Sequence, residues 1–203
     1  GGSTSVSEDG TTDTFTVVLN SEPISDVVIA ITSSDSDEST VSPSSLTFTS
    51  ANWDTSQTVT VTGADDDYAD GTQSSTVTIS VVDLSSDDSF DSLEDLTFSV
   101  TTADNDVAGF TISETNGSTS VSEDGSTDTF TVVLDAQPAS DVVISITSSD
   151  TGETIATSTL TFTTANWDTA QTVTVTGVDD SLLDGTQTSV FTISVVDGNS
   201  SDE

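Results

Sequence analysis

The heptad 57-QTVTVTG-63 returns unchanged as 171-QTVTVTG-177. Its period is two: Val59 and Val61 face one way, and Thr58, Thr60 and Thr62 the other. That is the alternation of a half-buried β-strand. The same reading holds for 13-DTFTVVL-19, where Phe15, Val17 and Leu19 share a face. It holds for 75-STVTISVVD-83, with Val77, Ile79 and Val81 together, and for 95-DLTFSV-100, with Leu96, Phe98 and Val100. Val, Ile, Thr and Phe suit a pleated surface with one buried side. No window has helical spacing, and the abundant Ser, Thr and Asp are poor helix formers. About seven short strands per unit, broken by Gly, Asp and Ser turns, predict an all-β chain of antiparallel, immunoglobulin-like β-sandwiches.

Outward from the heptad, the chain repeats itself. GSTSVSEDG at 2–10 recurs at 117–125, an offset of 115, whereas ANWDT (51–55 and 165–169), DGTQ and TISVVD recur at an offset of 114. A period this long is a whole domain rather than a solenoid turn or propeller blade. The expected domains are 1–106 and 107–203. The repeat is cut out of phase. The alternating stretch 107-VAGFTISET-115 precedes the second GSTSVSEDG and has no counterpart in the first unit. Conversely, 94-EDLTFSVTTADND-106 has none in the second. The first domain is therefore expected to lack its opening strand and the second its closing strand, as in an excerpt of a longer array or in chains that exchange strands.

Charge narrows the functions available. The 203 residues carry 36 Asp and Glu and no Lys, Arg or His, a formal charge of −36. Such a surface repels nucleic acid and anionic bilayers. With 32% hydrophobic residues this composition borders on that of disordered chains, but the regular alternation argues for a packed core. There is no cysteine, hence no disulfide, and no apolar run of the roughly 18 residues that a membrane helix needs. The N-terminal GGSTSVSEDG is unlike a signal peptide and reads as the middle of something longer. A surface of Ser, Thr and Asp without trypsin-type sites is expected outside a cell, secreted or surface-attached.

The order VSEDG, TFTVVL, LTFT, QTVTVTG, an acidic turn, DGTQ, TISVV and a closing strand ending in DND resembles the Calx-β domain, and covers nearly the whole chain. The wording of the strands and the NWD turn also resemble tandem repeats of large bacterial adhesins and extracellular matrix proteins. The resemblance implies a calcium site at one end of each sandwich. Carried over residue by residue, its ligands are Glu8, Asp65, Asp66, Asp67, Asp70, Asp104 and Asp106 in the first unit. In the second they are Glu123, Asp179, Asp180 and Asp184, with Ser181 standing where the first unit has Asp67. The chemistry points the same way: Ca²⁺ takes six to eight oxygen ligands in tolerant geometry, whereas zinc and copper sites need the His or Cys this chain lacks. An EF-hand is excluded, because 35-DSDES-39 lacks the third ligand and the glycine.

Other motifs read as structural. Trp53 and Trp167, each in NWD, are expected to cap the core at a corner rather than to stack sugars. Asn116-Gly117 is first of all a turn. Without His, Cys, Lys or Arg there is no usual base for a nucleophilic serine and no cationic clamp, so the chain is not expected to be an enzyme. The reading is a structural repeat segment of a long secreted or cell-surface protein, bacterial in wording, forming a calcium-stiffened rod, fibre or adhesin stalk. Its expected partners are neighbouring repeats, head to tail or by strand exchange. The alternative is an adhesion module binding glycan or another cell surface.

Overall fold

A computed structural model describes residues 4–183 and 185–196, and nearly all regular structure in it is β. The chain divides into two compact units, Gly1–Asp66 with Asp70–Asn105, and Asp67–Ala69 with Asp106–Glu203.

The described residues of the first unit form eight strands: β1 (Thr4–Ser7), β2 (Thr12–Val17), β3 (Val27–Ser33), β4 (Ser39–Ser42), β5 (Ser45–Phe48), β6 (Gln57–Gly63), β7 (Gln73–Val81) and β8 (Leu96–Ala103). They form a five-stranded sheet in the order β1-β8-β7-β3-β5 and a three-stranded sheet in the order β2-β6-β4. Between the sheets lies one apolar core, built from Val27, Ile29, Ile31, Phe48, Val59, Val61, Val77 and Val100 among others. These are the alternate residues of the period-two runs. The sandwich departs from all-antiparallel pairing at one place, β1 against β8, where Thr4 to Ser7 run parallel to Val100 to Ala103. Residues from opposite ends of the unit meet there, so no short turn constrains the two strands to be antiparallel.

The described residues of the second unit form seven strands: β9 (Phe110–Glu114), β10 (Thr127–Leu134), β11 (Val142–Ser148), β12 (Thr154–Ala156), β13 (Thr159–Phe162), β14 (Gln171–Gly177) and β15 (Phe191–Val195). Its sheets are ordered β12-β14-β10-β9 and β13-β11-β15. Strands β10 to β15 repeat β2 to β7. The one-residue difference between the copies falls at the corner that ends β4 and β12. Register survives it, because the Ile31 amide donates to the Ser44 carbonyl at 2.9 Å and the Ile146 amide to Ser158 at 2.8 Å.

Among the described residues the two units differ in the neighbours of two strands. Strand β9 pairs with β10 from Phe130↔Glu114 to Leu134↔Phe110, whereas among the described residues β2 has only β6 beside it. In the other sheet β7 has β8 as a neighbour, while β15 is an edge among the described residues. The consequence is local and severe. Gln73 to Thr76 pair only with β8, and the corresponding residues 187–190 form no strand. The tetrapeptide TSVS is a strand at Thr4–Ser7, where β8 is present, and is not one at 119–122. Val6 is buried, at 3% exposure, and Val121 is only half-buried. Tertiary pairing thus overrides identical local propensity.

Trp53 and Trp167 pack partly buried against their respective cores, and their carbonyls accept the amides of Leu19 and Leu134 at 3.1 Å. Both are corner-capping residues, as expected. No helix among the described residues is long and apolar enough to cross a membrane.

The comparison of the two TSVS copies predicts unequal costs for one substitution. Val6→Ala should destabilise the first unit by about 2 kcal/mol, and Val121→Ala should cost less than about 1 kcal/mol in the second. Denaturant unfolding of both variants measures the difference, and hydrogen exchange should show protected amides at 4–7 but not at 119–122.

Candidate metal centre

Strand β1 belongs to the five-stranded sheet and β2 to the three-stranded sheet, so the turn Ser7–Gly10 carries the chain across the sandwich. Gly10 has φ +81° and its amide donates to the Ser7 carbonyl at 3.1 Å, a conformation that glycine adopts without a Cβ penalty. The Glu8 amide donates to the carbonyl of Ala103, at the end of β8, at 3.1 Å. Glu8 is thereby drawn into the mouth of the sandwich and is 1% exposed. The connection from β3 to β4 also crosses between sheets and ends in Glu38, 8% exposed. Its carbonyl accepts the Ala64 amide at 2.9 Å and the Thr102 hydroxyl at 3.2 Å. Strand β6 ends at Gly63, where a Cβ would collide with the Ser7 carbonyl. Only glycine lets this strand end lie against the SEDG turn, which sets Asp66 beside Glu8. Gly177 stands against Ser122 in the same way.

Carboxylate oxygens of Glu8, Glu38 and Asp66 lie within 4.8 Å of one another, and Asp104 brings one equally close to Glu8. Asp104 Oδ2 also accepts the Gly71 amide at 2.6 Å, joining the DGT turn to the end of β8. Glu8 Oε2 accepts the Asn105 amide at 3.2 Å. Glu8 Oε1 and Glu38 Oε2 are buried and accept no hydrogen bond. Burial pushes the Glu8 carboxyl above its usual range; the Asn105 amide offsets part of this, and Asp104, Asp66 and Asp70 add repulsion. Burial, then Asp70, Glu8, Asp35 and Asp66, push Glu38 up to about 7.

Asp87 shows what a satisfied buried carboxylate looks like in this protein. It is 5% exposed, yet Oδ2 accepts the amides of Ile24 and Ser25 at 2.6 and 3.1 Å, and Oδ1 accepts that of Ser89 at 2.9 Å. Those bonds, the one from Ser89 foremost, hold it down at about 2. Glu8 and Glu38 are buried alike without such a set of donors, and no basic side chain exists to serve them.

The remaining predicted ligands distribute unevenly. Asp65 is exposed, its Oδ1 accepting from the Asn105 side chain at 3.3 Å. Asp70 is exposed, and acts on Glu8 and Glu38 through its charge. Asp67 is exposed and, like Asp106, falls in the second compact unit. In that unit Glu123 and Asp180 are half-buried, Asp179 is exposed, and Asp184 lies outside the described residues. The Val178 amide donates to the Glu153 carbonyl at 2.9 Å, as Ala64 does to Glu38, but no comparable three-carboxylate group forms among the second unit's described residues. Glu38 and its counterpart Glu153 were not among the predicted ligands. Their signal is the repeated acidic turn, 33-SSDSDE-38 and 148-SSDTGE-153.

A cation fits the first-unit group. Oxygens bound at 2.3–2.6 Å to one Ca²⁺ are at most about 5 Å apart, the spacing seen here, and hard carboxylate donors are what Ca²⁺ takes.

No family model matches the sequence, and no curated protein matches it either. Solved structures with some likeness include CBD12 from CALX1.2, at 13% identity and TM-score 0.37, covering 94% of this chain and 76% of that one. The calcium binding domain CBD12 of CALX1.1 follows at 14% and 0.31, covering 88% and 74%. SSP-19, an MSP-domain protein like family member of Caenorhabditis elegans, gives 14% and 0.33 over 50% of this chain and 92% of that one.

The unserved carboxyl predicts effects of opposite sign. With divalent ions chelated, Glu38 keeps its proton to about pH 7 in the folded state but releases it near 4.5 when unfolded. The contribution of Glu38 should therefore be full below pH 4.5 and fall as pH rises towards 7, because the unfolded state then binds fewer protons. Glu38→Gln should remove that fall and raise stability at pH 7.5 in chelator, by about 2 kcal/mol. In millimolar Ca²⁺ the same variant should be the less stable of the two. Thermal melts of both proteins, with and without Ca²⁺, check the reversal.

Proposed function

We propose that this chain is a structural repeat segment of a long secreted or cell-surface protein, and that Ca²⁺ at the mouth of the first sandwich stiffens it. The observation that carries the reading is the pair of buried, unserved oxygens, Glu8 Oε1 and Glu38 Oε2, in a chain without one basic side chain. Glu8, Glu38, Asp66 and Asp104 would hold the ion, with backbone carbonyls and water completing the six to eight oxygens it takes. Mg²⁺ is the poorer fit, because it dehydrates reluctantly and demands near-ideal octahedral geometry.

Position supports a mechanical role. Glu8 and Asp104 follow β1 and β8 of the five-stranded sheet, and Asp66 follows β6 of the three-stranded sheet. Glu38 lies in a connection between the two sheets. An ion bound by all four ties the sheets together where β1 and β8 end. Repetition of a whole domain, with the same turns in both copies, supports a structural use over a single specialised site.

Saturating Ca²⁺ at a hundredfold excess over Kd should stabilise the first unit by about 2.7 kcal/mol, with Mg²⁺ at equal concentration giving far less. Glu8→Gln should abolish that response, and Glu123→Gln should leave most of it. Single-molecule pulling tests the mechanical part: one unfolding event per chain should move to higher force in Ca²⁺ than in chelator. Identical force distributions would overturn the reading.

A further inference from the structure

The second unit contains a groove of about 900 Å³ whose floor includes Ile112, Val121, Phe130, Val175, Phe191 and Ile193. The first unit shows what belongs there. Val6 and Val77, the counterparts of the half-buried Val121 and Phe191, are buried, whereas Val61 and its counterpart Val175 are buried in both units. Phe15, the counterpart of Phe130, meets Phe98 of β8 edge to face, with ring centroids 5.0 Å apart. Strand β8 fills the place, parallel to Thr4–Ser7 and antiparallel to Gln73–Ile79. Around the groove, 119–122 and 187–190 form no strand, although their counterparts do. The hydroxyl of Ser189, which corresponds to Ser75 opposite Val100, is buried there without a hydrogen bond.

We propose that this groove is an acceptor for one kind of ligand: an extended, uncharged polypeptide strand with apolar side chains at alternate positions. It is the closing strand of a repeat of this type, of which Leu96–Ala103, LTFSVTTA, is the example at hand. It enters parallel to 119–122 and antiparallel to 187–193. Its Phe98-type side chain lies on Phe130 and its Val100-type side chain stands opposite Ser189. Backbone hydrogen bonds to the edge supply affinity, and the alternating side chains supply register. The absence of charge matters, since a carboxylate carried into this acidic, lysine-free unit would find no partner. This assignment rests on the groove and on the internal comparison, and is independent of the calcium proposal.

The test adds the octapeptide LTFSVTTA to the full chain in chelator and follows amide hydrogen exchange. Saturable, one-to-one binding is expected, with exchange at 119–122 and 187–190 slowed by about tenfold or more and exchange at 4–7 and 73–76 unchanged. An isomeric peptide with the alternation broken should bind at least about tenfold more weakly, because half its apolar groups then face water. Val121→Asp, on a segment outside any strand, should abolish binding. A second arm keeps the result decisive should the free peptide bind too weakly to see: residues 84–106 are appended after Asp197, and the same amides should become protected. Equal response to both peptides would overturn the proposal, as would unchanged exchange at 119–122 and 187–190 in both arms.

Discussion

Strand β8 holds an interior place in its sheet, bonded to β1 on one side and to β7 on the other, and most of the difference between the two units descends from that placement. With β8 present, TSVS is a strand, Gln73–Thr76 are a strand, Val6 and Val77 are buried, and Ala103 offers the carbonyl that draws Glu8 inward. No counterpart pairs with β15 among the described residues of the second unit, where the same tetrapeptide is irregular, β15 is shortened to Phe191–Val195, and Glu123 stays half-buried. Cooperativity of this kind follows from the cost of burying unpaired backbone: a strand with one partner gone gives up its pairing and its core contacts together.

A second constraint acts on top of the first. In a chain of 36 acids and no bases, a carboxylate can enter the interior only if amides, hydroxyls or a cation meet it. Asp87 is met by three amides and stays ionised to strongly acid pH. Glu8 has one amide for its two oxygens, and Glu38 sits at about 7 with one oxygen buried and unserved. These are the two groups that a fold stabilised by burial alone would not contain.

Much of the architecture was legible because the period-two runs are long and the chain states them twice. QTVTVTG is the same strand in both units, paired with β2 and β4 in one and with β10 and β12 in the other. The parallel pairing of β1 with β8 was not legible, since alternation fixes which face is buried and says nothing of strand direction. The site was legible in part. Adjacent aspartates in 65–67 mark the acidic turn, yet neighbouring residues in an extended turn point different ways, and of the three only Asp66 joins the cluster. Glu38 escaped because its acidic turn looks like a failed EF-hand. What places it is a crossover between sheets, which no local pattern encodes.

The copies differ in length at one corner: Pro43–Ser44 follow a four-residue β4, and Thr157–Ser158 follow a three-residue β12. It joins the ends of β4 and β5 remote from Glu38, which precedes β4. Register across it is held by one amide from the neighbouring strand, Ile31 or Ile146, reaching whichever residue comes last in the turn. Such a bond is indifferent to how many residues came before. A foreign peptide grafted at this turn would therefore be displayed from a sandwich whose strands stay in step, leaving the acidic end of the unit undisturbed.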